Sequence, residues 1–358
     1  MSEEEDKGKR REQGGGRFSR RRALKIGAGA LIAGGLPLKD FKPAEAAVKK
    51  HGPENTGKGG KSIVVIARNE KVWKGDSLDG EMAERLIFDA VRIVAGADND
   101  RVAWKTFFSP YDNVGLKLNC LGSKRPSPRP ELVKAICKGI SIAGVPESSM
   151  ILWDRADRDL RNAGYKIVAT GPGIRCFGTD NQARERDAGY DYQLTEKGAV
   201  GCRVSRIASA TCSALVNVCV LKDHNLAGVS ISLKNYYGAI HNPNKYHSNN
   251  CSPYIADVYS FDTLGGKTCL VVCDATLAQY NGGPGHKEEW MWKYSGFLVS
   301  TDPVALDAVG HSIIEKKRKE AGLPTLEEVK RPPKHIRAAA ERGLGEADLN
   351  KIKIVEIS

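Results

Sequence analysis

Residues 114–154 read VGLKLNCLGSKRPSPRPELVKAICKGISIAGVPESSMILWD. Two short β-rich runs, residues 114–118 and 150–153, flank an amphipathic run over residues 130–143 that has the spacing of a helix. A strand, a helix and a second strand in this order predict two parallel strands joined by a crossover helix.

The same alternation extends through the rest of the chain. We expect further strands at 63–67, 214–221, 268–273 and 297–300, helices at 81–94, 226–237, 253–261 and 303–320, and an edge strand within 351–357. Repeated alternation predicts an α/β fold with a largely parallel sheet flanked by helices. We place it in a single domain over residues 61–358, preceded by a Gly-rich, polar linker at 47–60.

The first 46 residues have the pattern of a twin-arginine export signal. Ser19-Arg20-Arg21-Arg22-Ala23-Leu24-Lys25 precedes an uncharged run over residues 26–36, and Ala44-Glu45-Ala46 resembles a cleavage site. The apolar run is too short to span a bilayer comfortably. We therefore expect export by the twin-arginine translocase to an extracytoplasmic, for instance periplasmic, location, with no transmembrane span in the mature protein.

The charge of the chain favours small anions as ligands. The 358 residues carry a formal net charge of +12, of which +8 remains after position 46. Basic residues are spread along the chain without the interleaved aromatic residues of a nucleic-acid platform, which argues against a nucleic-acid partner.

Nine cysteines occur, and none is arranged as Cys-x-x-Cys. This spacing makes an iron-sulfur cluster an unexpected cofactor and argues against a zinc ribbon. Cys269 and Cys273 stand four apart in a predicted strand, about 13 Å from each other, which is beyond disulfide reach. We expect most of the cysteines to be small core residues.

Polar residues follow each predicted core strand. In an open parallel sheet the carboxyl ends of the strands share one edge, and ligands bind there. The side chains that this rule brings to one predicted crevice are Lys117, Asn119, Asp154, Lys222, His224 and Asp274.

The densest polar segment is 222–251, KDHNLAGVSISLKNYYGAIHNPNKYHSNNC. Its histidines suit either proton transfer, by His224 or His241, or a mononuclear metal site that includes His247 and Asp274. Its lysines favour a second interpretation. Lys222 and Lys234, with Lys117 from an earlier strand, would hold a carboxylate or phosphate as point charges, and Asn119 and Asn235 would add hydrogen bonds.

Two further segments carry candidate residues. Asn281-Gly282-Gly283-Pro284-Gly285-His286 is either a flexible loop or a lid over a ligand. In Ser300-Thr301-Asp302-Pro303-Val304-Ala305-Leu306-Asp307, Asp302 fits a helix N-cap and Asp307 fits a catalytic carboxylate. No nucleophile elbow, dinucleotide fingerprint or His-Glu-x-x-His occurs.

The chain resembles the family known as domain of unknown function 362. The similar segments are Trp104 to Phe108 with Val114 to Asn119, Lys222-Asp223-His224, Ser232-Leu233-Lys234-Asn235 with Gly238, Gly282-Gly283-Pro284, and Ser300 to Asp307. The resemblance implies frequent twin-arginine signals. It also implies a ferredoxin-like module in some members, for which this chain has no cysteine set. It implies no reaction, because the activity of the family is not established.

The sequence is consistent with three functions. The first is an exported enzyme acting on a small anionic substrate, with His224, His241 and Asp307 as catalytic groups. The second is a protein that binds a ligand or metal without catalysis. The third, electron transfer through a cluster, requires iron and acid-labile sulfide.

Overall fold

The computed structural model describes residues 62–182 and 189–358, and all of them fall within one compact unit. The proposed signal and linker, residues 1–60, lie outside the described residues. Within the described ranges, no helix combines the length and the apolar character needed to cross a membrane.

The described chain alternates strands and helices, as expected. The strands are β1 Ile63–Arg68, β2 Trp73–Lys74, β3 Ser77–Leu78, β4 Val114–Lys117, β5 Met150–Trp153, β6 Arg175–Cys176, β7 Thr195–Lys197, β8 Val200–Cys202, β9 Ala214–His224, β10 Gly228–Ser230, β11 Thr268–Gln279, β12 Met291–Lys293, β13 Gly296–Ser300 and β14 Lys353–Ile357. The helices are α1 Gly80–Ala95, α2 Asp100–Phe107, α3 Pro130–Ile142, α4 Asp157–Asn162, α5 Ser232–Asn235, α6 Tyr254–Tyr259, α7 Pro303–Glu320 and α8 Lys334–Glu341.

One sheet organises the molecule, with the strand order β14-β1-β13-β11-β9-β4-β5-β6. β4 pairs in parallel with β5 and β9, and β9 pairs in parallel with β11. β13 is antiparallel to both of its neighbours, β1 and β11. The predicted α/β fold with a largely parallel sheet is confirmed.

Both faces of the sheet are covered by helices. α1, α2 and α3 bury side chains such as Leu86, Trp104 and Ile136 against one face, while α5 to α8 bury Leu233, Leu306 and Ile336 against the other. Strands buried on two faces read as continuous apolar runs, which explains why β4 and β5 are recognisable in the sequence.

The helix boundaries follow ordinary capping chemistry. Asp302 caps α7 by accepting hydrogen bonds from the backbone N–H groups of Val304 and Ala305 at 2.9 Å each, with Pro303 in the first turn. This is the N-cap role that the sequence predicts for Asp302.

The predicted helix over residues 226–237 is wrong in its first half. β9 runs on to His224, and the chain turns over residues 225–227. β10 begins at Gly228, which has a φ of +77°, and pairs with β9 as an antiparallel hairpin. α5 is then a single turn that starts at Ser232, followed by a 3₁₀ turn over Tyr236–Ala239. Pairing with β9 overrides the local helical spacing of the segment.

Candidate functional site

The carboxyl ends of β4, β5 and β9 lie at one edge of the sheet, because these neighbouring strands run in parallel. β9 continues well past the last residue of β4, and α5 packs beside it. Six candidate residues lie on or just after β4, β9 and α5 at this edge: Lys117, Asn119, Lys222, His224, Lys234 and Asn235.

Lys117 lies at the centre of a closed polar network, the Lys117 network (Lys117, Asp154, Asn217, Asn235). Its Nζ donates to Oδ1 of Asp154 at 2.7 Å, to O of Leu118 at 2.6 Å and to Oδ1 of Asn235 at 3.1 Å. Asn235 in turn donates from Nδ2 to Oδ1 of Asn217 at 2.8 Å. The buried ammonium therefore has three acceptors, one of which is a carboxylate counter-ion.

Gly238 approaches the ion pair of this network closely. A Cβ at this position would lie 2.7 Å from Nζ of Lys117 and 2.9 Å from Oδ1 of Asp154. A side chain at this position would therefore require the ion pair to shift.

A second group of side chains, the lysine–histidine cluster (Lys222, His224, Lys234, His247), lies beside this network. Lys222 is 0% exposed, and its Nζ donates to Oδ1 of Asn119 at 3.1 Å. In the described part of the chain, no carboxylate forms an ion pair with it. Burial lowers the pKa of Lys222 from 10.5 to about 8.

Lys234 is 6% exposed and lies against a histidine instead of an acid. Its Nζ is 3.1 Å from Nε2 of His247 and 3.9 Å from the centroid of the Tyr237 ring. Burial lowers the pKa of Lys234 from 10.5 to about 8, and the charge of Lys222 acts in the same direction.

His247 is half-buried and has a defined orientation. Its Nδ1 lies 3.1 Å from the carbonyl oxygen of Pro243. Because a carbonyl only accepts, Nδ1 carries the hydrogen and Nε2 presents its lone pair to Lys234. Burial and the charge of Lys234 lower the pKa of His247.

His224 is held as a neutral ring. Its Nδ1 accepts hydrogen bonds from the backbone N–H groups of Leu226 at 3.1 Å and Ala227 at 3.2 Å. The remaining hydrogen is therefore on Nε2. Burial, with the charge of Lys234, lowers the pKa of His224 to about 2, and the ring stacks on His247 with centroids 5.8 Å apart.

The family model of the domain of unknown function DUF362 matches residues 114–312, more than half of the chain. The chain belongs to the DUF362 family. No curated protein matches it. The matched region of this DUF362 protein contains the whole Lys117 network and the whole lysine–histidine cluster.

Asp307 of the DUF362 region, a catalytic candidate in the sequence, lies under α5. Its carboxylate accepts hydrogen bonds from N of Ser232 at 2.8 Å, Oγ of Ser232 at 2.5 Å and N of Leu233 at 3.1 Å. It is an N-terminal cap for the turn that carries Lys234 and Asn235, although it belongs to α7. Burial raises the pKa of Asp307 to about 7.

Asp274 and His241 have other surroundings in this DUF362 protein. The carboxylate of Asp274 accepts hydrogen bonds from N of Arg129 at 2.8 Å and from N and Oγ of Thr276 at 2.9 Å and 2.6 Å. His241 packs edge-to-face on Tyr190, with ring centroids 5.4 Å apart. Neither has a described contact with the lysine–histidine cluster.

Within residues 62–182 and 189–358, no group of three or more His, Cys, Asp or Glu side chains is placed to hold a metal ion. His247 directs one ring nitrogen at Lys234 and the other at Pro243. A metal at His247 or Asp274 stays a prediction. All nine cysteines are buried and free.

Several residues at this edge were not expected from the sequence. Arg331 donates to Oδ2 of Asp223 at 2.7 Å and to Oδ1 of Asn281 at 2.9 Å, which fixes the end of β9 against the glycine-rich loop. His335 on α8 is 0% exposed, has no hydrogen-bond partner in the described chain, and lies 3.9 Å from Oδ2 of Asp307. Arg331 and His335 lie far in the sequence from the residues that they approach, so no local sequence pattern indicates these contacts.

Two cavities of the described surface lie elsewhere. One, of about 410 Å³, is lined by α1 and Ile357, and the other, of about 640 Å³, lies between α3 and the β5–β6 edge. Neither is lined by a residue of the Lys117 network or the lysine–histidine cluster. The candidate site is the lysine–histidine cluster, because its ionisable side chains lie beside one another and Lys222, His224 and Lys234 are buried.

Proposed function

We propose that this DUF362 protein is an enzyme that binds and converts a small anionic substrate at the lysine–histidine cluster. One observation carries the proposal. Lys222 and Lys234 are both buried, and in the described chain neither has a carboxylate partner.

A buried ammonium without a counter-ion is costly, by several kcal/mol. A protein relieves this cost by releasing a proton or by binding an anion. Lys117 provides the internal comparison, because it is equally buried but paired with Asp154. The contrast supports Lys117 as a structural cation and the other two lysines as ligand-binding cations.

The roles of the candidate residues follow from their partners. Lys222 and Lys234 attract the anion, while Asn119 orients Lys222. Asn235 orients Lys117 of the neighbouring network. His224 is a hydrogen-bond donor through Nε2, because protonating Nδ1 would break two backbone hydrogen bonds. We assign proton transfer to His247, whose Nε2 lone pair is available, and the positioning of α5 to Asp307.

Anion-dependent stability tests the proposed site. An anion at a hundred times its Kd raises the free energy of unfolding by about 2.7 kcal/mol. We expect inorganic phosphate or oxalate to stabilise the wild type, and Lys222→Gln to lose this gain. Lys267→Gln is the matched control, because Nζ of Lys267 donates to three backbone carbonyls away from the cluster. Equal stabilisation of both variants would refute the site.

Whether the bound ligand is chemically changed distinguishes an enzyme from a protein that only binds it. An enzyme turns over a bound substrate, and a His247→Gln variant then binds the anion but loses turnover. A non-catalytic binding protein retains its ligand unchanged. Elemental and sulfide analysis of the purified protein tests the metal and iron-sulfur alternatives in the same preparation.

We also propose export by the twin-arginine route, on the strength of residues 19–46. Replacing Arg20 and Arg21 together by lysine retains the charge and removes the arginine pair. We expect the variant to stay in the cytoplasmic fraction, whereas an exported variant would contradict the proposal.

A further inference from the structure

We propose that Lys234 is a nucleophile that forms an iminium bond with a carbonyl substrate, and that His247 moves the protons. The proposal rests on the anionic-substrate function above and narrows it to an anionic carbonyl compound, such as a 2-oxo acid. Its basis is the line of three groups in which Nζ of Lys234 lies 3.1 Å from Nε2 of His247, and Nδ1 of His247 lies 3.1 Å from O of Pro243.

This line has the structure of an activated nucleophile. The nucleophile is within hydrogen-bond distance of a base, and a third group orients the base. The carbonyl oxygen of Pro243 holds the hydrogen of His247 on Nδ1 and leaves the Nε2 lone pair directed at the amine. His247 is the half-exposed member of the pair, so a substrate has an approach from its side.

The other buried lysines lack this arrangement. Lys117 donates to the carboxylate of Asp154 and forms an ion pair with it. Lys222 donates to the amide oxygen of Asn119, and an amide oxygen does not take up a proton near neutral pH. Among the described lysines that are buried, Lys234 alone contacts a nitrogen base.

The surroundings of Lys234 favour the neutral amine. The side chain is 6% exposed, and the charge of Lys222 opposes a second positive charge nearby. The lowered pKa of Lys234, about 8, agrees with this arrangement. The Tyr237 ring covers one side of Nζ and leaves fewer directions open to water.

The chemical step balances without an oxidant or a reductant. His247 accepts a proton from the Lys234 ammonium, and the amine lone pair then forms a bond to the carbonyl carbon while the C=O π bond opens. The resulting oxygen is protonated by the His247 imidazolium and leaves as water, with a second proton coming from the nitrogen. The product is a protonated iminium, and hydrolysis reverses each step.

The anionic group of the substrate has a defined partner. Within the described chain Lys222 forms no ion pair with a carboxylate, and its charge lowers the pKa of Lys234. The charges of both lysines also lower the pKa of His224, which places the two cations in one cluster. A carboxylate adjacent to the carbonyl would place its charge toward Lys222 while the carbonyl carbon reaches Lys234. This is why a 2-oxo acid fits better than a neutral aldehyde.

Reductive trapping tests the inference. The protein is incubated with glyoxylate, an anionic aldehyde, and cyanoborohydride, and the modified lysines are located by peptide mass mapping. We expect Lys234 to be modified about a hundredfold faster than Lys267 or the exposed lysines, and His247→Gln to lose most of that advantage. The wild-type map alone is decisive, so the test does not depend on the folding of a variant.

Binding of oxalate, which has no reactive carbonyl, separates the two proposals. If oxalate stabilises the protein but glyoxylate modifies all lysines at similar rates, the anion site stands and the iminium inference is refuted. If Lys234 is modified selectively but oxalate does not bind, the inference stands for a carbonyl substrate and the anionic function fails. If oxalate does not bind and Lys234 is not modified selectively, both proposals are refuted.

Discussion

The ammonium groups of Lys117 and Lys222 differ in their hydrogen-bond partners. Asp154 neutralises the first, whereas a neutral amide contacts the second. Because an unpaired buried charge is costly, the carboxylate of Asp154 distinguishes Lys117 from Lys222, the lysine to which we assign ligand binding. The distinction depends on a residue 37 positions away from Lys117, so it is visible only in the folded protein.

Gly238→Ala should disrupt the Lys117 network. The added Cβ would lie 2.7 Å from Nζ of Lys117, so the ion pair with Asp154 must shift. We expect a loss of about 1–3 kcal/mol in the free energy of unfolding, measured with urea. Gly285→Ala is the control, since a Cβ there meets nothing within 4 Å. Equal stability of the two variants would show that the contact is unimportant.

Lys222 should make stability increase at alkaline pH. Its pKa is lowered in the folded protein to about 8, so between pH 8 and 10.5 the unfolded chain binds more protons than the folded one. The wild type should therefore gain about 1.4 kcal/mol per pH unit relative to Lys222→Gln in this window. Exposed Lys105→Gln should show no such difference from the wild type. A parallel pH dependence of wild type and Lys222→Gln would contradict the buried, unpaired lysine.

At the level of elements, α5 is the part that the sequence alone does not predict. The spacing of apolar residues at 226–237 resembles a helix, but the pairing of β10 with β9 uses the first part of the segment. The remaining turn is capped from α7 by Asp307, 75 residues away, which a sequence pattern does not reveal. Longer elements such as α7 were predicted well, since their caps and periodicity are local.

Asp307→Asn tests this cap through its pH dependence. The pKa of Asp307 is raised in the folded protein to about 7, so the folded state binds more protons between pH 3.8 and 7. The stability of the wild type relative to Asp307→Asn should fall as pH rises through this window, by about 1.4 kcal/mol per unit at most. Urea unfolding at pH 5, 6 and 7 measures it, and a constant or rising difference would contradict the buried carboxylate.

For the whole molecule, the parallel-strand rule accounts for much of the candidate site. Lys117, Asn119, Lys222 and His224 come together because they lie at or after the ends of parallel strands. Asp274 does not fit the rule, because β11 continues to Gln279 and pairs there with β12, so Asp274 lies within the strand instead of at its end. How far a strand continues beyond its apolar residues depends on the strand that pairs with it. The local sequence pattern does not identify that partner.

Two buried, neutral histidines, His224 and His335, should make the stability of the fold decrease at acidic pH. Burial lowers the pKa of His224 to about 2 and that of His335 to about 3, from 6.5. Below pH 6.5 the unfolded chain binds more protons, so stability should fall by about 2.7 kcal/mol per pH unit from these two groups. His335→Leu should halve this slope.

The same variant gives an independent result at neutral pH. Because both ring nitrogens of His335 lack hydrogen-bond partners in the described chain, His335→Leu should be neutral or stabilising at pH 7. A loss of more than about 2 kcal/mol would show that the ring makes a hydrogen bond that stabilises the fold.

The most direct test of the central claim, that Lys222 and Lys234 form an anion site, is proton uptake on oxalate binding. Both lysines have a pKa of about 8, so at pH 8 each is half-protonated, and an anion favours the charged form of both. Calorimetric titration in two buffers of different ionisation enthalpy should show uptake of about one proton per oxalate in the wild type, reduced by about half in Lys222→Gln. Binding without proton uptake, or with the same uptake in the variant, would contradict the account.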